Sequence, residues 1–169
     1  VFVGDEYQLP SVGPGLILSD MIKAGVNHIS LKNIYRQSEN SFIPILAQNI
    51  KEGVVDENTL IKKDDFNFIT ASNHEIKEYL MQILLKIKEK KMDISKIQVL
   101  APMYKGENGI DNLNIMLQDI FNPKDKEKNE VKIGPVIYRE GDKVLNLVND
   151  PDNNIYNGDI GYIKEVNLD

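Results

Sequence analysis

Cysteine is absent from the 169 residues, and with it go disulfide bridges, thiolate catalysis and cysteine-based zinc sites. Arginine is nearly absent too: Arg36 and Arg139 are the only two, and lysine carries the rest of the basic charge. That scarcity makes each arginine a position to inspect, although a Lys, Ile and Asn bias is also what an AT-rich genome encodes. The two histidines, His28 and His74, stand apart from Asp, Glu or Cys at ligand spacing, so no metal site is expected. His74 falls in the first turn of an expected helix, where a solvated or capping role suits it. No apolar run approaches the roughly 18 residues of a membrane span, and the N-terminus lacks the charged-then-apolar layout of a secretory signal. A cytoplasmic setting fits, with no membrane partner. Basic excess is also missing. A net charge of -6 excludes a protein that holds nucleic acid through its overall field, so any such contact has to be local.

What is present suits a folded chain. Hydrophobic residues make up 41% and charged residues 27%, a balance of globular rather than disordered proteins. The length allows one sizeable core or two small ones. Residues 1–3, Val-Phe-Val, stop at Gly4-Asp5 and read as a buried strand ending in a loop. A chain opening inside a core strand is expected to be a fragment. Two prolines and three glycines fill residues 4–15, and residues 16–22 predict a short helix ended by Gly25. Residues 28–31 and 66–70 read as strands, and residues 41–51 as a helix closed by Gly53. Ser72 and Glu75 have capping-box spacing, after which Ile76, Tyr79, Leu80, Ile83, Leu84 and Ile87 recur at three- and four-residue intervals. Residues 97–101 read as a strand ended by Pro102, and Leu113, Met116, Leu117, Ile120 and Phe121 mark another helix. This alternation predicts an α/β layer, a parallel sheet with flanking helices. The charged stretch at residues 122–132 predicts an exposed linker. Beyond it residues 135–138, 143–148 and 159–166 read as strands, with a turn at Asn157-Gly158. A second, all-β module therefore starts near residue 130. Three strands are few for an independent domain, and the module is expected to be cut short at Asp169.

The densest signal is G-D-E-Y-Q-L-P-S-V-G-P-G at residues 4–15. Spacing alone reads it as a strand-ending turn and a rigid loop. A strand that delivers Asp5 and Gln8 at its C-terminal end also puts polar groups where α/β sheets bind ligands. The Gln8 amide both donates and accepts hydrogen bonds, so it could report a phosphate or an attacking water. The segment resembles motif III of superfamily 1 helicases in the form found in the RecD family, the superfamily 1B group that includes the exodeoxyribonuclease V alpha chain. That resemblance implies that Gln8 senses the ATP γ-phosphate and couples it to DNA, with Asp5 helping to organise the loop and Gly4 and Asp5 lying beside Gln8 on the γ-phosphate side. Residues 31–37, L-K-N-I-Y-R-Q, resemble motif IV. They imply that Arg36 is an arginine finger, a forked and permanently charged donor for the phosphate that gains charge in transfer, an effect worth about 1,000-fold or more in rate. In the family these two sensors lie on different lobes.

A third resemblance covers V-L-A-P-M at residues 99–103, then Gly106, Gly109, Leu113-Asn114 and Leu117-Gln118. It is similar to the strand, loop and helix that line the single-stranded DNA path of the second RecA-like domain. The resemblance implies DNA contacts from Pro102, Met103, Tyr104, Lys105, Asn108, Gly109 and Asn114, where phosphates could be held or a base stacked; read without it, the segment is a glycine-rich turn into a helix. Y-R-E-G-D-K-V at residues 138–144 and N-G-D-I-G at residues 157–161 resemble the start of the SH3-like β-barrel insert of those helicases. Individually, Gly141, Gly158 and Gly161 read as turn residues, and Asp142 and Asp159 as turn caps.

The expected organisation is thus an α/β RecA-like P-loop NTPase helicase domain followed by the start of an SH3-like barrel: the end of a first RecA-like domain at residues 1–27, part of a second at 28–125, and the β module at 130–169. G-x-x-x-x-G-K-[ST] occurs nowhere, so the cradle for ATP phosphates is missing, and the acidic pair that holds Mg2+ is missing too. The chain alone is expected to hydrolyse no ATP and to hold no cofactor. The resemblance implies a parent that uses ATP and Mg2+ to translocate 5′ to 3′ on single-stranded DNA and unwind duplex in recombination or repair, with RecB/RecC-like subunits as candidate partners. Two other readings stand beside it: the helicase module of a conjugative relaxase of the TraA type, and a non-catalytic binding module.

Overall fold

The structure, a computed structural model, describes residues 1–8, 13, 15–31 and 41–167. The chain divides into two compact units, Val1–Thr70 and Ala71–Asp169.

Among the described residues the first unit holds two helices, α1 (Ile17–Lys23) and α2 (Ile43–Glu52). Gly53 ends α2 in the left-handed region at φ 71°, a conformation that a Cβ would strain and glycine adopts freely. The start of α2 is pinned by Asp65, whose carboxylate accepts the Ser41 hydroxyl at 2.7 Å and the Phe42 amide at 3.0 Å. The Ser41 hydrogen bond, and after it the Phe42 amide, hold the Asp65 carboxyl below its ordinary value. Phe42 and Phe66 pack with ring centroids 5.6 Å apart.

In the second unit α3 (Asn73–Glu89) and α4 (Ile110–Phe121) pack together. The expected capping box forms: the Glu75 carboxylate accepts the Ser72 amide at 2.8 Å and the Ser72 hydroxyl at 2.6 Å, satisfying donors that a helix start leaves free. The three- and four-residue apolar spacing produces one core of Leu84, Leu113 and Met116, with Leu80, Ile87, Val99, Ala101, Leu117, Ile120 and Phe121 against it.

The rest is two antiparallel hairpins. Strand β1 (Glu130–Ile133) pairs with β2 (Val136–Arg139), placing Glu130 opposite Arg139. Strand β3 (Lys143–Leu145) pairs with β4 (Ile160–Tyr162), placing Lys143 opposite Tyr162. Each pair is its own two-stranded sheet, so the β module reads as hairpins and not as a closed barrel. Barrel closure needs a continuous staggered ladder, which two separate pairs do not supply.

Two expectations need correction. The parallel sheet does not form among the described residues: residues 1–3, 28–31, 66–70 and 97–101 are extended without ladder partners. An apolar extended segment becomes a strand only when a neighbour takes its N–H and C=O groups. Residues 97–101 keep the alternation of a strand, with Ile97, Val99 and Ala101 half-buried and Gln98 and Leu100 exposed. Residues 122–132 are also not wholly an exposed linker. Asn122 is buried and β1 begins at Glu130, whose carboxylate is met by Arg139 across the hairpin.

Candidate functional site

Gly4 to Gln8 form a small turn at the start of the first unit. The Asp5 carboxylate accepts the Tyr7 amide at 3.0 Å, and the Gln8 amide donates to the Asp5 carbonyl at 3.3 Å. Aspartate thus shapes the backbone that carries Gln8, by the side-chain turn this residue type favours. Gly4 lies close to α1: a Cβ there would come 3.0 Å from Leu18. Gln8 is exposed, and the ammonium of Lys51 at the end of α2 sits 3.9 Å from the centroid of the Tyr7 ring, a cation–π contact. Arg36, with residues 32–40, lies outside the described residues, as do residues 9–12 and Pro14.

The second candidate surface is the loop at residues 102–109, on the N-terminal end of α4. Its shape comes from backbone hydrogen bonds. The Gly109 amide donates to Gly106, Ile110 to Met103 and Asp111 to Tyr104, at 3.1, 2.9 and 3.1 Å. These bonds use N–H groups that a helix start otherwise leaves open, so backbone amides at this end are committed within the loop. Gly109, the N-cap, has ordinary extended torsions; what requires glycine there is space, since a Cβ would lie 2.5 Å from the carbonyl oxygens of both Tyr104 and Lys105. Asn108 donates to the Asn73 carbonyl at 2.6 Å, tying the loop to the start of α3, and His74 Nδ1 lies 3.2 Å from the Glu107 carboxylate beside it. Asn112, which the sequence reading passed over, donates to the Gly106 carbonyl at 2.8 Å.

Outward from this scaffold point Met103, 60% exposed, and Tyr104, 70% exposed. Lys105 is exposed and holds Asp111 at 2.7 Å; an ion pair this open is worth about 0–1 kcal/mol, so the lysine is readily exchanged to another anion. Asn114 is exposed one turn along α4. The loop therefore separates into parts that build it, Asn108 and Gly109, and parts it displays, Met103, Tyr104 and Lys105. Among the described residues, no group of three or more His, Asp or Glu could hold a metal ion, and no helix is long and apolar enough to cross a membrane.

Known proteins sort the two surfaces into one lineage. A family described as "ATP-dependent RecD-like DNA helicase SH3 domain" matches residues 113–169, and one described as "AAA domain" matches residues 1–74. The ATP-dependent RecD2 DNA helicase of Deinococcus radiodurans is 32% identical over 166 residues, 98% of this chain. The likeness to RecD2 runs along almost the whole length of the chain. It spans 22% of that relative, so the RecD-like match is to one stretch of a longer protein. The SH3 match begins at Leu113, inside α4, so the matched unit takes in most of that helix together with both hairpins. The AAA match ends at His74, in the first turn of α3, and covers the turn that carries Gln8.

Proposed function

We propose that the protein bearing this chain is an ATP-dependent DNA helicase that moves 5′ to 3′ along single-stranded DNA, using ATP with Mg2+ to drive duplex unwinding in recombination or repair, in the cytoplasm. The observation that carries the reading is the RecD2 similarity over 98% of the chain, which takes in both the AAA stretch and the SH3 stretch. In this reading residues 1–27 close a first RecA-like domain, residues 28–125 belong to a second, and residues 130–169 begin the SH3-like module. Gln8 reports the γ-phosphate from the turn that Asp5 shapes. Arg36 supplies positive charge to the phosphate in transfer, where a planar fork of donors serves better than an ammonium. Met103 and Tyr104 give single-stranded DNA an apolar and aromatic face for stacking, which is tolerant of base identity, while Lys105 exchanges Asp111 for a backbone phosphate. Asn108, Gly109 and Pro102 hold the shape of that face, and Asn114 extends it along α4.

The test uses the longer protein. Arg36→Ala should lower DNA-stimulated ATP turnover by about 1,000-fold or more while nucleotide binding stays near the parent level. Unchanged turnover would remove Arg36 from the catalytic centre.

A further inference from the structure

The β module is joined to the helical layer by polar groups and not by a common apolar core. No residue of the four strands belongs to the Leu84, Leu113 and Met116 cluster or packs against it. Gln118 and Asn122 at the end of α4 donate to the carbonyls of Ile137 and Glu140 at 2.9 and 3.0 Å, and two consecutive residues between and at the starts of the hairpins, Asp142 and Lys143, supply the side chains that complete the joint. The Asp142 carboxylate accepts Gln118 Nε2 at 2.6 Å and Asn122 Nδ2 at 2.7 Å, both from the C-terminal end of α4, and also the Arg139 amide at 2.7 Å. The Lys143 ammonium reaches the other way, donating to the carbonyls of Ile94, Ser95 and Ile97 at 3.3, 3.2 and 2.8 Å. Gln98 Oε1 lies within reach as well, at 3.5 Å, so the ammonium's three protons are shared among acceptors on the turn that follows α3 and the residue after it. Arg139 reinforces the first point: its guanidinium donates to the Asn122 carbonyl at the end of α4, where the helix dipole favours a cation.

Directional hydrogen bonds of this kind fix an angle, whereas apolar contact tolerates sliding. The α4 helix is 12 residues long, about 18 Å, with the loop of residues 102–109 at one end and the Asp142 joint at the other. We propose that Asp142 and Lys143 are a two-point latch that holds the β module at one orientation on α4, so that this loop and both hairpins move as a single body. If the helicase reading holds, the latch also sets the DNA-facing loop and the SH3-like module in fixed register. The latch itself stands on the hydrogen bonds alone, and its test involves neither ATP nor DNA.

The test is residual dipolar coupling on the whole, isotopically labelled chain. In the parent chain, amide couplings from α3 and α4 and from the hairpins should fit one alignment tensor. In D142A/K143M the hairpin couplings should shrink by about twofold or more relative to the helical set, while cross-strand amides stay protected from hydrogen exchange. Two tensors in the parent chain, or one unchanged tensor in the variant, would overturn the proposal. Should the double variant lose its hairpins, Q118A and K143Q leave the strand ladders alone, and each should give a smaller drop of the same sign. Unchanged hairpin couplings in both would overturn it equally.

Discussion

Gly109 gives the sharpest quantitative test of the loop. Its torsions, φ -80° and ψ 159°, suit any residue, so by backbone conformation alone Gly109→Ala should stabilise by about 0.4–1 kcal/mol through the unfolded chain. Space decides the opposite sign. The new Cβ would sit 2.5 Å from two backbone carbonyl oxygens, and neither can swing aside as a side chain would. One of them, on Tyr104, accepts the Asp111 amide at 3.1 Å. Retreat of the loop puts that bond at risk, about 1 kcal/mol, and overpacking adds about 1–3 kcal/mol. Against the favourable entropy, the net expectation is a loss of about 2 kcal/mol. Urea unfolding followed by circular dichroism reads it as a lower midpoint at constant slope, and under the proposed function the longer protein should bind a single-stranded oligonucleotide more weakly as Tyr104 is displaced. Gly106→Ala is the control in the same loop: φ is 97° with nothing within 4 Å of a Cβ, so it should cost only backbone strain, about 1–2 kcal/mol. An alanine at 109 that is neutral or stabilising would refute the packing argument.

Leu84→Ala, at the least exposed position of the core, 1%, should destabilise the second unit by about 2–5 kcal/mol, read by the same urea titration; a loss below about 1 kcal/mol would mean that the core lies elsewhere. Glu75 sets an acid limit. The Ser72 hydroxyl and amide hold its carboxyl below the ordinary 4.5, so its contribution is complete above that value and is lost as pH falls through the lowered folded-state value. Thermal melts over this range should fall with pH, and Glu75→Gln should flatten the fall; an equal slope in the variant would assign the acid sensitivity to other carboxylates.

The four α-helices among the described residues were legible in advance because periodicity and caps are local. Glu75 stands three residues from the Ser72 it caps, and Leu80, Leu84 and Ile87 repeat along one face whatever lies opposite. Strands were half-legible. The run at residues 97–101 is extended as expected, with Ile97, Val99 and Ala101 half-buried, but nothing in four apolar residues and a glutamine tells whether a neighbour completes the ladder. Strand β1 was missed because Glu130 and Lys132 look like solvent-exposed charges. Their meaning depends on register: Glu130 faces Arg139 across the hairpin and pairs with it at 2.9 Å, an opposite-charge match that favours the pairing. Lys124 first, then Arg139, lower the Glu130 carboxyl below its ordinary value. At the candidate site, motif spacing located the loop but not the division of labour within it. Asn108 belongs to its framework because of Asn73, 35 residues away. Asp142 was readable as a turn cap, which its bond to the Arg139 amide bears out; its reach to Gln118 and Asn122 spans 20 or more residues, beyond any local pattern.

Lys143 bears on how this lineage can diverge. An ammonium directs three protons tetrahedrally and so can serve three carbonyls converging from one turn; a guanidinium spreads its donors in a plane. Arginine preserves charge at this position but not the fit. Drift toward arginine here should therefore be accompanied by a rebuilt turn at residues 94–97, making the two segments a pair that evolves together although nearly 50 residues separate them.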